Sequence, residues 1–395
     1  MATFSLVRDT RVFISTEAAI ANMSDTNTWQ IPVLDGYSFT ADTNVETVTV
    51  SEAGISNVAR GQQAFTTAIN PVEWALTTYM RPRWGGAPDN EADAVERVLW
   101  EGLAAANANN TIGTILDGLA TTMGGAGAGM TVDFLDSDTN ELLELSIIFN
   151  LGDNWYHITQ CLVNQAEVDF SIDTIAQIGW SGFGTSLVSV EGSDLTTLQG
   201  WAGTARFPNS GVIDTNDYVT APTAYTCIRN KLSTVELTDN DSPGTSYTVA
   251  LTGGSLTINN NIEFLTPENL GVVNQPCGGF TGTREISGNM TAYLKTGAGL
   301  TGGLLTDLLT DLNDVTQDFA LIIHAGNGIN PASPDFHVPQ VAFNMPHTHI
   351  NIPTVNVEDV LSVDIGFTAL PTDSAGAFDL EYNNELTVTY YPDES

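Results

Sequence analysis

The segment "SFTADTNVETVTVSEAGISN", Ser38 to Asn57, returns without a gap 217 residues later as "SLTINNNIEFLTPENLGVVN", Ser255 to Asn274. Ser38/Ser255, Thr40/Thr257, Asn44/Asn261, Glu46/Glu263, Thr49/Thr266, Gly54/Gly271 and Asn57/Asn274 are identical. Leu34/Leu251 and Gly36/Gly253 extend the match upstream. A repeat at nearly half of a 395-residue chain points to one folding unit built twice. Each copy is long enough to bury its own core.

The flanking segments keep the same order. "TRVFIS", Thr10 to Ser15, reads as an opening strand, and "TCIRNKL", Thr226 to Leu232, stands in its place in the second half. "VEWALTTYM" puts Val72, Trp74, Leu76 and Thr78 on one side and Glu73, Ala75, Thr77 and Tyr79 on the other, the period of a strand. Its counterpart "GNMTAYLKT" brings Tyr293 under Tyr79. Val95, Val98, Leu99, Gly102 and Leu103 share a helical face, with Asp89 or Asn90 as N-cap. Leu304, Leu305, Leu308, Leu309 and Leu312 repeat that helix, and "DFALIIHAG" is the strand after it.

"MTVDFLDSDTNELLELSIIF" predicts a hairpin turning at Asp136 to Asn140. In "CLVNQAEVDFSIDTIAQIGWSGFG", Val168, Phe170 and Ile172 alternate toward a core, and Glu167, Asp169, Ser171 and Asp173 away from it. "HTHINIPTVNVEDVLSVDIGFT" repeats it, with Gly366-Phe367 under Gly182-Phe183. The offset falls from 217 to 214 to 184, so the first copy is longer after its helix. Periodicity fades over residues 187–218. The expected division is a first domain at 1–195, a linker at 196–218 and a second domain at 219–395, mainly β, each domain with a flanking α-helix.

Charge narrows the function. Asp and Glu number 47 against 11 Lys and Arg, a formal net charge of −36. Affinity for nucleic acid rests on neutralising phosphates, so this excess argues against holding DNA or RNA, and against anionic membrane surfaces. Three cysteines without short spacing give neither a disulfide framework nor a zinc site. "MATFSLVRDTRVF" lacks the apolar core of a leader peptide, so synthesis and residence in cytoplasm are expected.

No catalytic, cofactor or metal site stands out. His347 and His349 share a strand face but lack a third ligand nearby other than His337 and Asp335. "DSDTNE", Asp136 to Glu141, spaces oxygens as in a Ca²⁺ loop, yet has Glu141 where the turn needs glycine. "MGGAGAGM" has no helix with Lys and Ser/Thr after it, and reads as a loop. With so many acids, a glycosidase-like carboxylate pair arises by chance.

Four pieces in order, "RVFIS", "TVSEAG", "NPVEWALTTYMRP" and "AEVDFSIDTIAQIGWSGFG", resemble the tail tube proteins of long-tailed bacteriophages. The resemblance runs from about Thr10 to Gly184 and returns more faintly in the second half, where "REISGNMTAYLKT" lacks counterparts of Pro71 and Trp74. It implies two tandem tail-tube β-sandwich domains, with inner sheets from six domains joining into a closed β-barrel ring. Closure also consumes sheet edges that would otherwise aggregate. With two domains per chain, three chains complete a ring of pseudo-sixfold symmetry.

The implied partners are further copies of the chain, other tail proteins (tape measure, terminator, baseplate or tip) and double-stranded DNA that passes without specific binding. The implied location is the virion tail, assembled in host cytoplasm. A carboxylate-lined wall would let DNA slide. The lumen candidates are Asp42, Glu46, Glu263, Glu167, Asp169 and Asp173, each otherwise an ordinary solvent-facing acid. Arg81, Arg83 and Trp84 are candidates for contacts between rings or subunits. The competing reading is a secreted or surface β-sandwich adhesin with Ca²⁺-binding acidic loops.

Overall fold

The computed structural model describes residues 10–23, 27–48, 63–84, 92–104, 130–134, 142–202, 227–240, 245–270, 272–310, 318–326, 340–356, 360–371 and 385–391. Within them the chain is mainly β. It begins with β1 (Thr10–Ser15), β2 (Thr28–Ile31), β3 (Ser38–Thr40), β4 (Thr43–Val48), β5 (Gln63–Ile69), β6 (Val72–Tyr79), β7 (Pro82–Trp84) and β8 (Ala92–Ala94). Then come α1 (Arg97–Ala104), β9 (Met130–Asp133), β10 (Leu145–Leu151), β11 (Asn154–Asp169), β12 (Gln177–Gly184), β13 (Ser186–Ser189) and α2 (Gly192–Ala202). The second half has β14 (Thr234–Asp239), β15 (Ser246–Val249), β16 (Leu251–Asn259), β17 (Glu263–Leu265), β18 (Gly278–Phe280) and β19 (Glu285–Tyr293). It ends with α3 (Thr301–Thr310), β20 (Phe319–Gly326), β21 (Gln340–Ile350), β22 (Thr354–Asn356), β23 (Ser362–Ala369) and β24 (Thr387–Tyr391).

Alternation along the strands decides which side is core. In β6, Val72, Trp74, Leu76 and Thr78 are buried, and the residues between them are not. β12 and β23 alternate in the same way. Eight strands pair antiparallel in one run: β3–β6–β12–β11–β16–β19–β23–β22. Two further runs are β2–β1–β10–β11–β13 and β15–β14–β20–β21–β24–β9. β11 serves two runs, pairing with β13 through residues 156–159 and with β16 through residues 165–169. The apolar faces share one core that takes in Val12, Trp29, Trp74, Trp180, Tyr247, Leu256, Phe343 and Phe367.

Strand registers follow the repeat and adjust it. Ser38 lies opposite Ala75 and Ser255 opposite Asn289, which satisfies the offsets 217 and 214 together. Trp74 lies opposite Gly182, whereas Gly288, in the Trp74 slot, lies opposite Phe367. The register therefore matches Gly182 with Phe367, an offset of 185 rather than 184. A one-residue slip would turn the buried Phe367 onto the open face.

Other expectations shift for physical reasons. β14, not Thr226–Leu232, pairs as β1 does, with a following strand and with the strand after the helix; Asn230–Leu232 form a 3-10 turn. β9 does not fold back on β10 but pairs with β24, where Val132 meets Val388. Ile172 is 40% exposed, because β11 ends at Asp169 and Thr174 N–H closes a turn on the Ser171 carbonyl. In α1 the expected face is buried, and so are Trp100, Glu101 and Ala104, so the helix is enclosed. The N-cap candidates lie outside the described residues. α2 crosses the expected start of the linker, and its Leu198 packs with Phe13, Ile148 and Trp155.

Candidate assembly surface

The open face of the eight-stranded run is polar, and cross-strand register sorts it into rows. Glu167 lies between Gly179 and Thr257, and the row continues through Ser287 to Thr368. Asp169 lies between Gln177 and Ser255, followed by Asn289 and Gly366. Glu73 faces Thr40 and Phe183; Glu285 faces Asn259; Asp364 faces Thr291 and Thr354. All five carboxylates are exposed, and no strand position on this face is Lys or Arg. The Thr291 hydroxyl donates to Asp364 at 2.8 Å, and the Asn356 amide donates to its other oxygen.

Of the acids singled out from sequence, Glu167 and Asp169 belong to this face. Asp173 is exposed in the turn between β11 and β12. Asp42 lies between β3 and β4, and Glu46 within β4. β3 stops at Thr40, the Asp42 carboxylate accepts Thr43 N–H at 2.7 Å, and its carbonyl accepts Asn70 N–H at 3.0 Å. The chain then leaves the large sheet for the separate β4–β5 hairpin. Glu263 is likewise on a separate hairpin, β17–β18. The repeated glutamate keeps its cross-strand neighbour, Phe65 for Glu46 and Phe280 for Glu263. Ile69 N–H donates to the Asn274 carbonyl at 2.8 Å, which docks the second arm's loop on the first arm.

Glu73, Glu285 and Asp364 were not singled out. Each is the lone acid at the open-face positions of its own strand, so only the register between distant strands reveals them as one surface. Arg81, beyond the end of β6, is half-buried with its guanidinium 5.2 Å from the Tyr79 ring centroid. For Arg83 and Trp84 the described feature is backbone pairing with Asp93 and Ala92. His347 Nδ1 lies 2.5 Å from Asp318, and His349 is exposed. Among the described residues no three His, Cys, Asp or Glu side chains converge as a metal site. Residues 136–141 lie outside them.

Among the described residues the run ends in two unpaired edges. Among the described residues β3 pairs only with β6, and β22 only with β23. Away from the face, a buried polar chain ties the halves together. Trp100 Nε1–H donates to Tyr390 Oη at 2.7 Å, and Tyr390 O–H donates to Glu96 Oε1 at 2.7 Å. Burial pushes the Glu96 carboxyl up to about 7, against the lowering pull of that hydrogen bond. Asn260 Nδ2 donates to the Leu103 carbonyl at 2.9 Å, across the same junction.

No protein-family model matches the chain. The tail tube protein pb6 of Escherichia phage T5 is 32% identical over 368 residues, which cover 93% of this chain and 73% of that protein. Among solved structures, the tail of an empty GTA particle, refined with C6 symmetry, matches 34% of this chain and 89% of its own at 17% identity. Its TM-score of 0.21 is too low to carry weight. The likeness to pb6 along nearly the whole sequence shows the family: this chain belongs to the tail tube proteins of bacteriophages.

Proposed function

We propose that this protein forms the wall of a tail tube as stacked trimeric rings, with the open face of the eight-stranded run lining a lumen that conducts double-stranded DNA. The face itself carries the reading: five exposed carboxylates among mostly Ser, Thr, Asn, Gln and Gly, with Phe183, Ala75 and Tyr79 among the exceptions and no base at a strand position. Phosphate contacts need Lys or Arg, and a lumen that made them would arrest its cargo. Fixed negative charge keeps the duplex in a layer of solvent and counterions. The coincident pairing registers support two tandem sandwich domains, 1–195 and 219–395, as the two copies.

Strand arithmetic favours three chains. Three eight-stranded runs at about 4.8 Å per strand enclose a circle roughly 37 Å across, and wider with the usual strand tilt. That admits a duplex with its hydration. Six chains would double the bore without need. The ring would take its place in the virion tail with other tail proteins, after assembly in host cytoplasm.

Electron microscopy of the purified protein tests this. Stacked rings or hollow tubes with threefold repeating units are the expected result. A dispersed monomer at high concentration overturns it.

A further inference from the structure

We propose that copies of this chain join by pairing β22 of one with β3 of the next in a single register: Asn356 opposite Ser38, Val355 opposite Phe39, and Thr354 opposite Thr40. This rests on the ring reading above and gives it a residue-level seam. The pattern for the seam is inside the chain. β11 pairs with β16 with Asp169 opposite Ser255, Val168 opposite Leu256 and Glu167 opposite Thr257. β3 takes the β16 place one copy earlier, since Ser38 faces Ala75 as Ser255 faces Asn289. β22 takes the β11 place one copy later. Glu167, Val168 and Asp169 face Gly179, Ile178 and Gln177, as Thr354, Val355 and Asn356 face Asp364, Val363 and Ser362. The facing residues Gly179/Asp364, Ile178/Val363 and Gln177/Ser362 keep the 185-residue offset that relates Gly182 to Phe367, which sets β11 and β22 187 residues apart.

Burial shows what each edge lacks. At the internal seam Val168 and Leu256 are 0% exposed. At the outer edge Val355 is 39% exposed and Ile352 52%. Phe39, in the Leu256 slot, is half-buried. The register sets Val355 against Phe39 on the core side and Thr354 against Thr40 on the polar face. A slip of one residue would put an apolar side chain on the polar face.

Hydrogen-bond phase follows from the same pattern. Phe170 N–H donates to the Gly254 carbonyl at 2.9 Å and Asn260 N–H to the Asn164 carbonyl at 2.8 Å, at the two ends of the internal seam. In that phase Val168/Leu256 is a hydrogen-bonded pair and Glu167/Thr257 a non-hydrogen-bonded one. Thr354 and Thr40 of the next copy then form a close pair, with Cα atoms about 4.5 Å apart, within disulfide reach. Pro353 falls in the Ala166 slot, whose N–H faces across the seam. Proline has none, so the seam between copies has one hydrogen bond fewer than the internal one.

Paired cysteines read the register directly. The full chain with the exposed Cys227 and Cys277 changed to Ser would carry Thr40→Cys with Thr354→Cys. Parallel chains would carry the slipped pairs Ser38→Cys with Thr354→Cys and Thr40→Cys with Asn356→Cys. After mild oxidation of assembled protein, the first pair is expected to give covalent dimers and closed covalent trimers as the main products on non-reducing gels. Tubes whose main cross-link comes from a slipped pair, or from none of the three, overturn the register while leaving the ring. Chains that stay monomeric before and after oxidation overturn seam and ring together.

Discussion

Glu96 is a carboxyl enclosed by its own fold. Its Oε1 accepts from Tyr390 and from Arg81 N–H, and burial still holds its proton up to about pH 7. A carboxyl whose folded pKa lies above its unfolded value, here 4.5, is bound to its proton more tightly in the fold. Its contribution to stability is full below pH 4.5, falls as pH rises to about 7, and is level beyond. At about 1.36 kcal/mol per pKa unit, the loss is on the order of 3 kcal/mol. His157 acts in the opposite sense. Burial lowers it from 6.5 to about 4, so its contribution is lost as pH falls through that window. Glu96→Gln is therefore expected to gain on the parent chain in urea midpoint between pH 5 and pH 8. A difference that stays constant across that range would show that Glu96 does not titrate there.

Trp74 lies opposite Gly182, and Phe367 lies opposite Gly288. A Cβ on Gly182 would lie 2.0 Å from the Leu162 carbonyl oxygen and 2.6 Å from the Trp74 ring, and one on Gly288 2.3 Å from the Ser255 carbonyl oxygen and 2.5 Å from the Phe367 ring. The two halves fill one core site from opposite strands, one large side chain over one glycine. Gly182→Ala should cost about 3 kcal/mol or more, because the Leu162 backbone must move as well as the Trp74 ring. Trp74→Gly alone opens a cavity. The exchange Trp74→Gly with Gly182→Phe copies the second half's arrangement. It removes the ring contact but leaves the new Cβ against the Leu162 carbonyl, so it should recover only the share of the single losses that the ring carries, read as a favourable coupling in a double-mutant cycle. Strict additivity would mean that the two positions do not share the site.

The same pair shows what the sequence discloses about elements. Alternation in "VEWALTTYM" revealed the buried side of β6, because a strand with one wet face has a period of two. The loss of Trp74 in the second half was visible, but its replacement was not, since Phe367 comes from another strand. The break after Thr40 was hidden for a similar reason. Residues 43–48 go on alternating in a hairpin that has its own partner, β5, and local pattern does not report which sheet a strand joins. The acids of the open face were legible strand by strand and became one surface only through register.

At the scale of the whole molecule, charge and topology combine. One side of the eight-stranded run is closed by a core shared between the halves, and the other side is open and mainly polar except where Leu162 and Phe183 pack with Ile262 and Phe264. A monomer gains nothing from keeping so broad a face free of bases. A tube wall does, because each Lys there would add a phosphate contact, and binding would strengthen steeply as salt is lowered. Glu73, Glu167 and Glu285 are exposed and have no described hydrogen bond to lose, unlike Asp364. Changing all three to Lys alters the face by six charges per chain, and rings should still form. Particles carrying the triple variant are expected to eject DNA more slowly than the parent, with the delay relieved as salt is raised. Gln at the same positions should delay ejection less, since it removes repulsion without adding attraction. Ejection at the parental rate in tubes that carry all three lysines would place this face away from the DNA.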